Sequence, residues 1–287
     1  MSTSPSFIGT LSSNDFTIMS CPLFFVVARV VGSNGSLEKW KERLVGLCGV
    51  SATEPLGNSY YWGHDLDGEP DTLWGLEGYT HPAGFFLGHT STDTFKHEMR
   101  LADEDKLLKT VQGIGSPDYH LHHYDFAGGW LKREDDDLKD SKDSAVAVVH
   151  LWTSERDRSL VIDRLTDFAA SRRAIKFNQG SLQSCGVLKE VTQPNLTTLW
   201  LRYVDSKNSL ILCLLFFLSF ASRESRLNGV RYISARSQED LKSHLVSEEY
   251  KNLLASVEPV LSLRVETHLS QSFNGHIDQR PITLGVQ

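Results

Sequence analysis

The chain has few cysteines, no cluster of basic residues and no apolar stretch long enough to cross a bilayer. Only four cysteines occur in 287 residues, Cys21, Cys48, Cys185 and Cys213, and no two form a C-x-x-C pair. That excludes a zinc ribbon, a thioredoxin-type motif and a disulfide scaffold. Lysine and arginine total 29 against 36 aspartates and glutamates, a formal net charge of −7. The basic residues nowhere gather into the patch that a nucleic-acid partner requires. A mean hydropathy of −0.25 argues against a polytopic membrane protein. Also missing are G-x-G-x-x-G after a strand, the phosphate-binding G-x-x-x-x-G-K-[ST], the G-x-S-x-G elbow and the metalloprotease H-E-x-x-H. Nucleotide-dependent chemistry is therefore unsupported.

What is present is globular: 40% hydrophobic and 23% charged residues, with length enough for one large domain or two small ones. Met1 to Asn14 is rich in Ser and Thr and lacks the charged start and apolar core of a signal peptide, so residues 1–20 are expected to be a disordered leader. The default location is cytoplasmic.

The pattern of elements repeats. Cys21 to Val31 is rich in Phe and Val and reads as a buried strand. Leu37, Trp40, Leu44 and Leu47 then recur at helical spacing behind Ser36, a candidate cap. Strands are expected at Gly57–His64 and Thr72–Tyr79, a helix at Ser91–Val111 and a strand at Tyr119–Phe126. After the acidic stretch Lys132–Asp143 the order recurs, with a strand at Ser144–Trp152, a helix at Asp157–Arg173 and strands at Gly186–Val191 and Thr197–Tyr203. A helix at Gln238–Leu254 and a strand at Val260–His268 complete it. Two β-α-β-β-α-β units predict an α+β chain of two tandem ferredoxin-like modules, residues 21–131 and 145–270, with a solvated linker at 132–144 and a tail at 271–287.

One segment breaks the repeat. Ser209 to Ala221 is a nearly continuous apolar run of 13 residues, short of the roughly 20 that span a membrane. Arg202-Tyr203 recurs as Arg231-Tyr232, and removing the 29 residues from Tyr203 to Arg231 joins strand to helix smoothly. Residues 203–231 are therefore expected to be a retained intron or recent insertion. A helical hairpin that buries the apolar run against a partner or a membrane is the alternative.

In the second module Ser237, Leu241, His244, Leu245, Ser247, Tyr250 and Leu253 form an S-x-x-x-L-x-x-H-L-x-S-x-x-Y-x-x-L pattern. This resembles the strand-to-helix segment of antibiotic biosynthesis monooxygenase domains, in the dimeric α+β barrel superfamily. Residues 76–99, LEGYTHPAGFFLGHTSTDTFKHEM, resemble a divergent form of it, with Glu77 and Tyr79 at the family's Glu and aromatic positions. The long Tyr79–His89 segment departs from the pattern. The resemblance implies two modules that pair sheet to sheet into a barrel with a cavity. With both in one chain, that is an intramolecular pseudo-dimer, and a dimer of such chains is the alternative.

The resemblance also implies oxygenation of an electron-rich aromatic, such as an anthrone or quinol of polyketide-like secondary metabolism, with no metal or other cofactor. The partners are then a small aromatic substrate and O2, without nucleic acid or membrane. Such chemistry needs a base near the working pH, a donor for the developing oxyanion and a dry aromatic pocket. Histidine suits the base, and seven of the 11 histidines lie between His64 and His123. His64 ends a strand, and His81 and His89 flank a Pro/Gly loop. These three, with Tyr79 and Glu77, are the catalytic candidates. Trp62, Trp74, Phe85 and Phe86 are candidate substrate walls. His120 and His122 share one strand face and are expected to line the cavity. Completing a metal set around them would require His64 or His81 with Glu77. The second module offers only His150, Trp200 and Arg202, so the site is expected in the first. A non-oxidative cyclase, dehydratase or decarboxylase, and a binding barrel without turnover, are the competing functions.

Overall fold

The computed structural model describes residues 22–134, 136, 144–175, 182–204, 238–263 and 265–278. The first module runs β1 (Phe24–Val31), α1 (Leu37–Ser51), β2 (Gly57–Asp65), β3 (Thr72–Tyr79), α2 (Asp93–Glu104) and β4 (Tyr119–Trp130). The second repeats it as β5 (Ala145–Trp152), α3 (Arg158–Arg173), β6 (Leu182–Glu190), β7 (Leu196–Tyr203), α4 (Glu248–Val257) and β8 (Glu266–His276).

Each module forms a four-stranded antiparallel sheet in the order 4-1-3-2, and the two join edge to edge. Strand β2 pairs with β8 and β4 with β6, which closes an eight-stranded barrel, β1-β3-β2-β8-β5-β7-β6-β4. Closure leaves neither sheet with an unpaired edge.

The two-residue period of the strands then assigns each side chain to lumen or helix side. Phe25, Val27, Tyr61, Trp74, Leu76 and Tyr124 meet Val148 and Trp200 of the second module inside the barrel. The opposite parity, with Ala28, Val30, Tyr60, Trp62 and Leu73, packs under Trp40, Leu44, Leu47 and Met99 of α1 and α2. In the second module the equivalent space is filled by Val161, Leu165 and Phe168 of α3 and Tyr250, Leu253 and Val257 of α4.

Several boundaries differ from the sequence expectation. Helix α2 stops at Glu104, and Lys106 takes a left-handed φ of 54°. Leu107 and Leu108 then enter the core as coil, where the Leu107 carbonyl accepts the Trp40 indole N–H at 3.1 Å. The last strand lies at 266–276, because Pro259 cannot donate to a ladder and sits in a tight turn instead. Two of its buried polar residues bond across to the first module: Asn274 donates to the Leu44 carbonyl at 2.8 Å and Ser272 to the Tyr61 hydroxyl at 3.3 Å. The linker is not wholly solvated, since Asp136 is buried in an ion pair with the fully buried Arg202. Strand β7 ends at Tyr203 with Val204 buried after it, and the remainder of the anomalous segment, 205–231, lies outside the described residues. No helix among the described residues is long and apolar enough to cross a membrane.

Candidate active site

A cavity of about 340 Å³ lies between the first sheet and its helices, outside the barrel lumen. Val26, Ala28 and Val30 of β1 form its floor, and Leu44 of α1 and Phe95 and Met99 of α2 form its roof. Trp62, Phe85 and Phe86 supply aromatic walls. The mouth is apolar: Phe86, Leu121 and Ile114 line it while 52%, 38% and 65% exposed. Ionisable side chains are few, namely Glu77, Tyr119 and His123.

Glu77 is the distinctive one. It is 6% exposed and its carboxylate accepts the Tyr79 hydroxyl at 2.9 Å. Burial pushes its carboxyl above the usual range, against the opposing charge of His89 and the bond from Tyr79. Tyr60 sits directly across from it on β2, and Trp62 follows two residues along on the same face. Trp62, like Tyr79, turns a donor toward the carboxylate and tempers the effect of its burial, while the Tyr60 hydroxyl is buried beside it.

His89 completes this end. Its ring is fully buried, 5.6 Å from Tyr60, 6.3 Å from Tyr79 and 5.2 Å from Phe95. Its Nδ1 lies 2.8 Å from Glu54 Oε1, and its Nε2 has no partner. Burial pushes the imidazole down, but the bond to Glu54 and the charges of Glu77 and Glu54 outweigh it and hold the group above its ordinary value. That favours the protonated, donating form over a free base.

The segment before α2 shapes the wall. Gly84–Gly88 makes one wide π-helical turn. Thr90 Oγ1 donates to the Phe85 carbonyl at 3.1 Å, and Thr92 caps α2 by accepting Phe95 N–H at 3.2 Å. These bonds fix Phe85 and Phe86 over the floor, where Phe85 meets Tyr79 at 5.8 Å and His123 at 5.9 Å.

Of the predicted site residues, Glu77, Trp62, Phe85 and Phe86 line this cavity, while Tyr79 and His89 pack behind it against Phe85 and Phe95. The others do neither. His81 is exposed, and its Nδ1 accepts the Ala83 N–H at 3.0 Å, which caps the loop. His64 is on the helix side of β2 but does not line the cavity, and burial and Lys41 lower its affinity for a proton. Trp74 points into the lumen, stacked on His268 at 4.5 Å. His120 and His122 share the lumenal parity, with His122 5.7 Å from His150. Glu77 and His122 thus occupy opposite faces of the sheet, which rules out the metal set sketched from sequence. Among the described residues no group of three or more His, Cys, Asp or Glu could hold a metal ion. His244, in the second module, is walled by Phe168, Tyr203 and Tyr250 and pushed down to about 4 by burial.

Two residues were missed. His123 lines the cavity instead of its neighbours. The signal was strand parity, since Tyr119 and Leu121 share its face and belong with the apolar floor. Glu54 lies in the turn between α1 and β2, where nothing in the sequence separates it from a solvated acid.

No family model and no curated protein matches the chain. Solved structures do. A candidate monooxygenase from Lactobacillus acidophilus NCFM aligns with TM-score 0.62 at 8% identity, over 90% of this chain and 97% of its own. A candidate monooxygenase from Fusobacterium nucleatum gives 0.61 at 10%, over 90% and 96%. An anthrone oxidase-like protein gives 0.53 at 10%, over 91% and 95%. The fold of this chain is therefore that of these solved structures, a closed α+β barrel whose two modules are carried here in one polypeptide.

Proposed function

We propose that the chain is a cofactor-independent monooxygenase whose electron-rich aromatic substrate binds in the first-module cavity. The observation that carries this is Glu77, a buried carboxylate at the edge of an apolar, aromatic-walled cavity. The names of the structural neighbours agree with this reading, at the level of fold.

Glu77 takes a benzylic or phenolic proton from the substrate, and its raised proton affinity makes it a better base than a solvated carboxylate. The resulting anion gives one electron to O2, and the substrate radical and superoxide join through a new C–O bond. At a CH2 position, loss of the second proton from that carbon then breaks the O–O bond, leaving C=O and releasing water. One O2 is consumed per product, and the substrate supplies all the electrons. The Trp62 indole N–H, a donor on the cavity wall one strand from Glu77, receives the negative charge that develops on oxygen.

The test is turnover of an anthrone or quinol panel under 18O2. The expected result is uptake of one O2 per product, with one labelled oxygen atom in the product. Product formed equally without O2 would favour a non-oxidative enzyme. Saturable binding with no turnover would favour a binding barrel.

A further inference from the structure

We infer that His123 is a second polar anchor of the substrate, and that the cavity selects planar aromatics whose polar groups stand on opposite edges of the ring system. The inference rests on the reading of Glu77 as the group at the near edge.

The geometry is a row across the sheet. Val26 of β1 is the register partner of Glu77 on β3 and of His123 on β4. All three side chains line the cavity. Adjacent strands stand about 4.8 Å apart, so the Glu77 and His123 backbones are separated by about 10 Å, with Val26 as the floor between them. A fused-ring aromatic laid on Val26 therefore meets a carboxylate at one edge and an imidazole at the other. Of the other polar groups on the wall, Trp62 stands at the Glu77 edge, Thr90 Oγ1 donates to the Phe85 and Phe86 carbonyls, and the Tyr119 hydroxyl donates to Met99 Sδ at 3.8 Å.

The imidazole is built for this position. Its ring lies 6.0 Å from Phe24, 5.9 Å from Phe85 and 5.4 Å from Phe86, which fixes its plane. Its Nε2 is buried and makes no hydrogen bond within the protein. Burial holds the group below its ordinary proton affinity, against the charge of Glu190, so it serves as a neutral hydrogen-bonding group. When Glu77 takes a proton at one edge, the charge left on the ring delocalises to the oxygen at the other, where His123 can donate to it.

The test measures binding alone, anaerobically, by calorimetric titration of the full chain with 2,6- and 2,3-dihydroxynaphthalene. These isomers have the same apolar area and differ only in where the hydroxyls stand. The 2,6-isomer is expected to bind about tenfold more tightly, one well-made hydrogen bond's worth. His123→Phe, which keeps the ring contacts with its aromatic neighbours, should erase that preference and leave the 2,3-isomer unchanged. If that variant fails to fold, His123→Leu, which also removes the polar group, replaces it. Equal affinities, or a preference that survives loss of the imidazole, would overturn the assignment. Because no turnover is measured, failure of the oxygenase reading leaves this outcome intact, and failure here leaves oxygen uptake to be judged separately.

Discussion

At the scale of single residues, two buried acids act in opposite directions. Glu77 is held above the ordinary carboxylate range by burial, so it gains its basic form only as pH rises past that raised value. kcat/KM is expected to climb with pH through an inflection above 4.5, the ordinary value for glutamate. Glu54 works through His89. A histidine raised above 6.5 in the folded state stabilises the protein below 6.5, and that stabilisation is lost as pH rises through the folded value. Glu54→Gln removes the charge while its carbonyl can still accept the Nδ1–H, so NMR titration should find the His89 pKa lowered. An unchanged titration would show that Glu54 does not govern it.

At the scale of elements, the turn between β3 and α2 carries the aromatic wall, and its anchor is Thr92. Thr92→Ala removes that cap and should cost about 1 kcal/mol of stability. Because Phe85 and Phe86 only shape the cavity, KM should rise while kcat changes little; a loss confined to kcat would contradict this. The elements also show how much the sequence disclosed. The two β-α-β-β-α-β units were legible because the strands near the modules' centres are apolar on both faces, as in FFVVARVV and AVAVVHLW. Strand β8 was misplaced because it lies on the seam between modules, where buried serines and Asn274 are satisfied by cross-seam bonds that only the folded barrel supplies. Of the cavity's lining, Glu77, Trp62, Phe85 and Phe86 were reachable from local pattern. The exclusion of His120 and His122 was not, because choosing between lumen and helix side requires knowing which face the helices cover.

At the scale of the whole molecule, barrel closure creates a second population of histidines. His150 from β5 lies 5.7 Å from His122 of β4 and 5.8 Å from His268 of β8, inside the lumen. Burial pushes His150 down to about 3 and also lowers His122 and His268. Bases whose folded affinity is lowered favour unfolding once they are protonated. Stability is therefore full above 6.5 and falls as pH drops below it, by up to about 1.4 kcal/mol per pH unit for each such proton. Urea unfolding at pH 7.5 and 5.5 should show the loss, and His150→Gln should shrink it. Equal midpoints at the two pH values would refute it.

The same division between lumen and helix side allows the most direct measurement, which is oxygen uptake on an aromatic substrate by Glu77→Gln and His122→Gln compared with the native chain. These residues stand on opposite faces of one sheet, and only Glu77 reaches the cavity. Removing a general base lowers the rate by about 10²–10⁴-fold, and that loss is predicted for Glu77→Gln, with His122→Gln retaining the native rate. A Glu77→Gln enzyme that consumes oxygen as fast as the native chain, or a His122→Gln enzyme that is the one to fail, would contradict the placement of the chemistry in the first-module cavity.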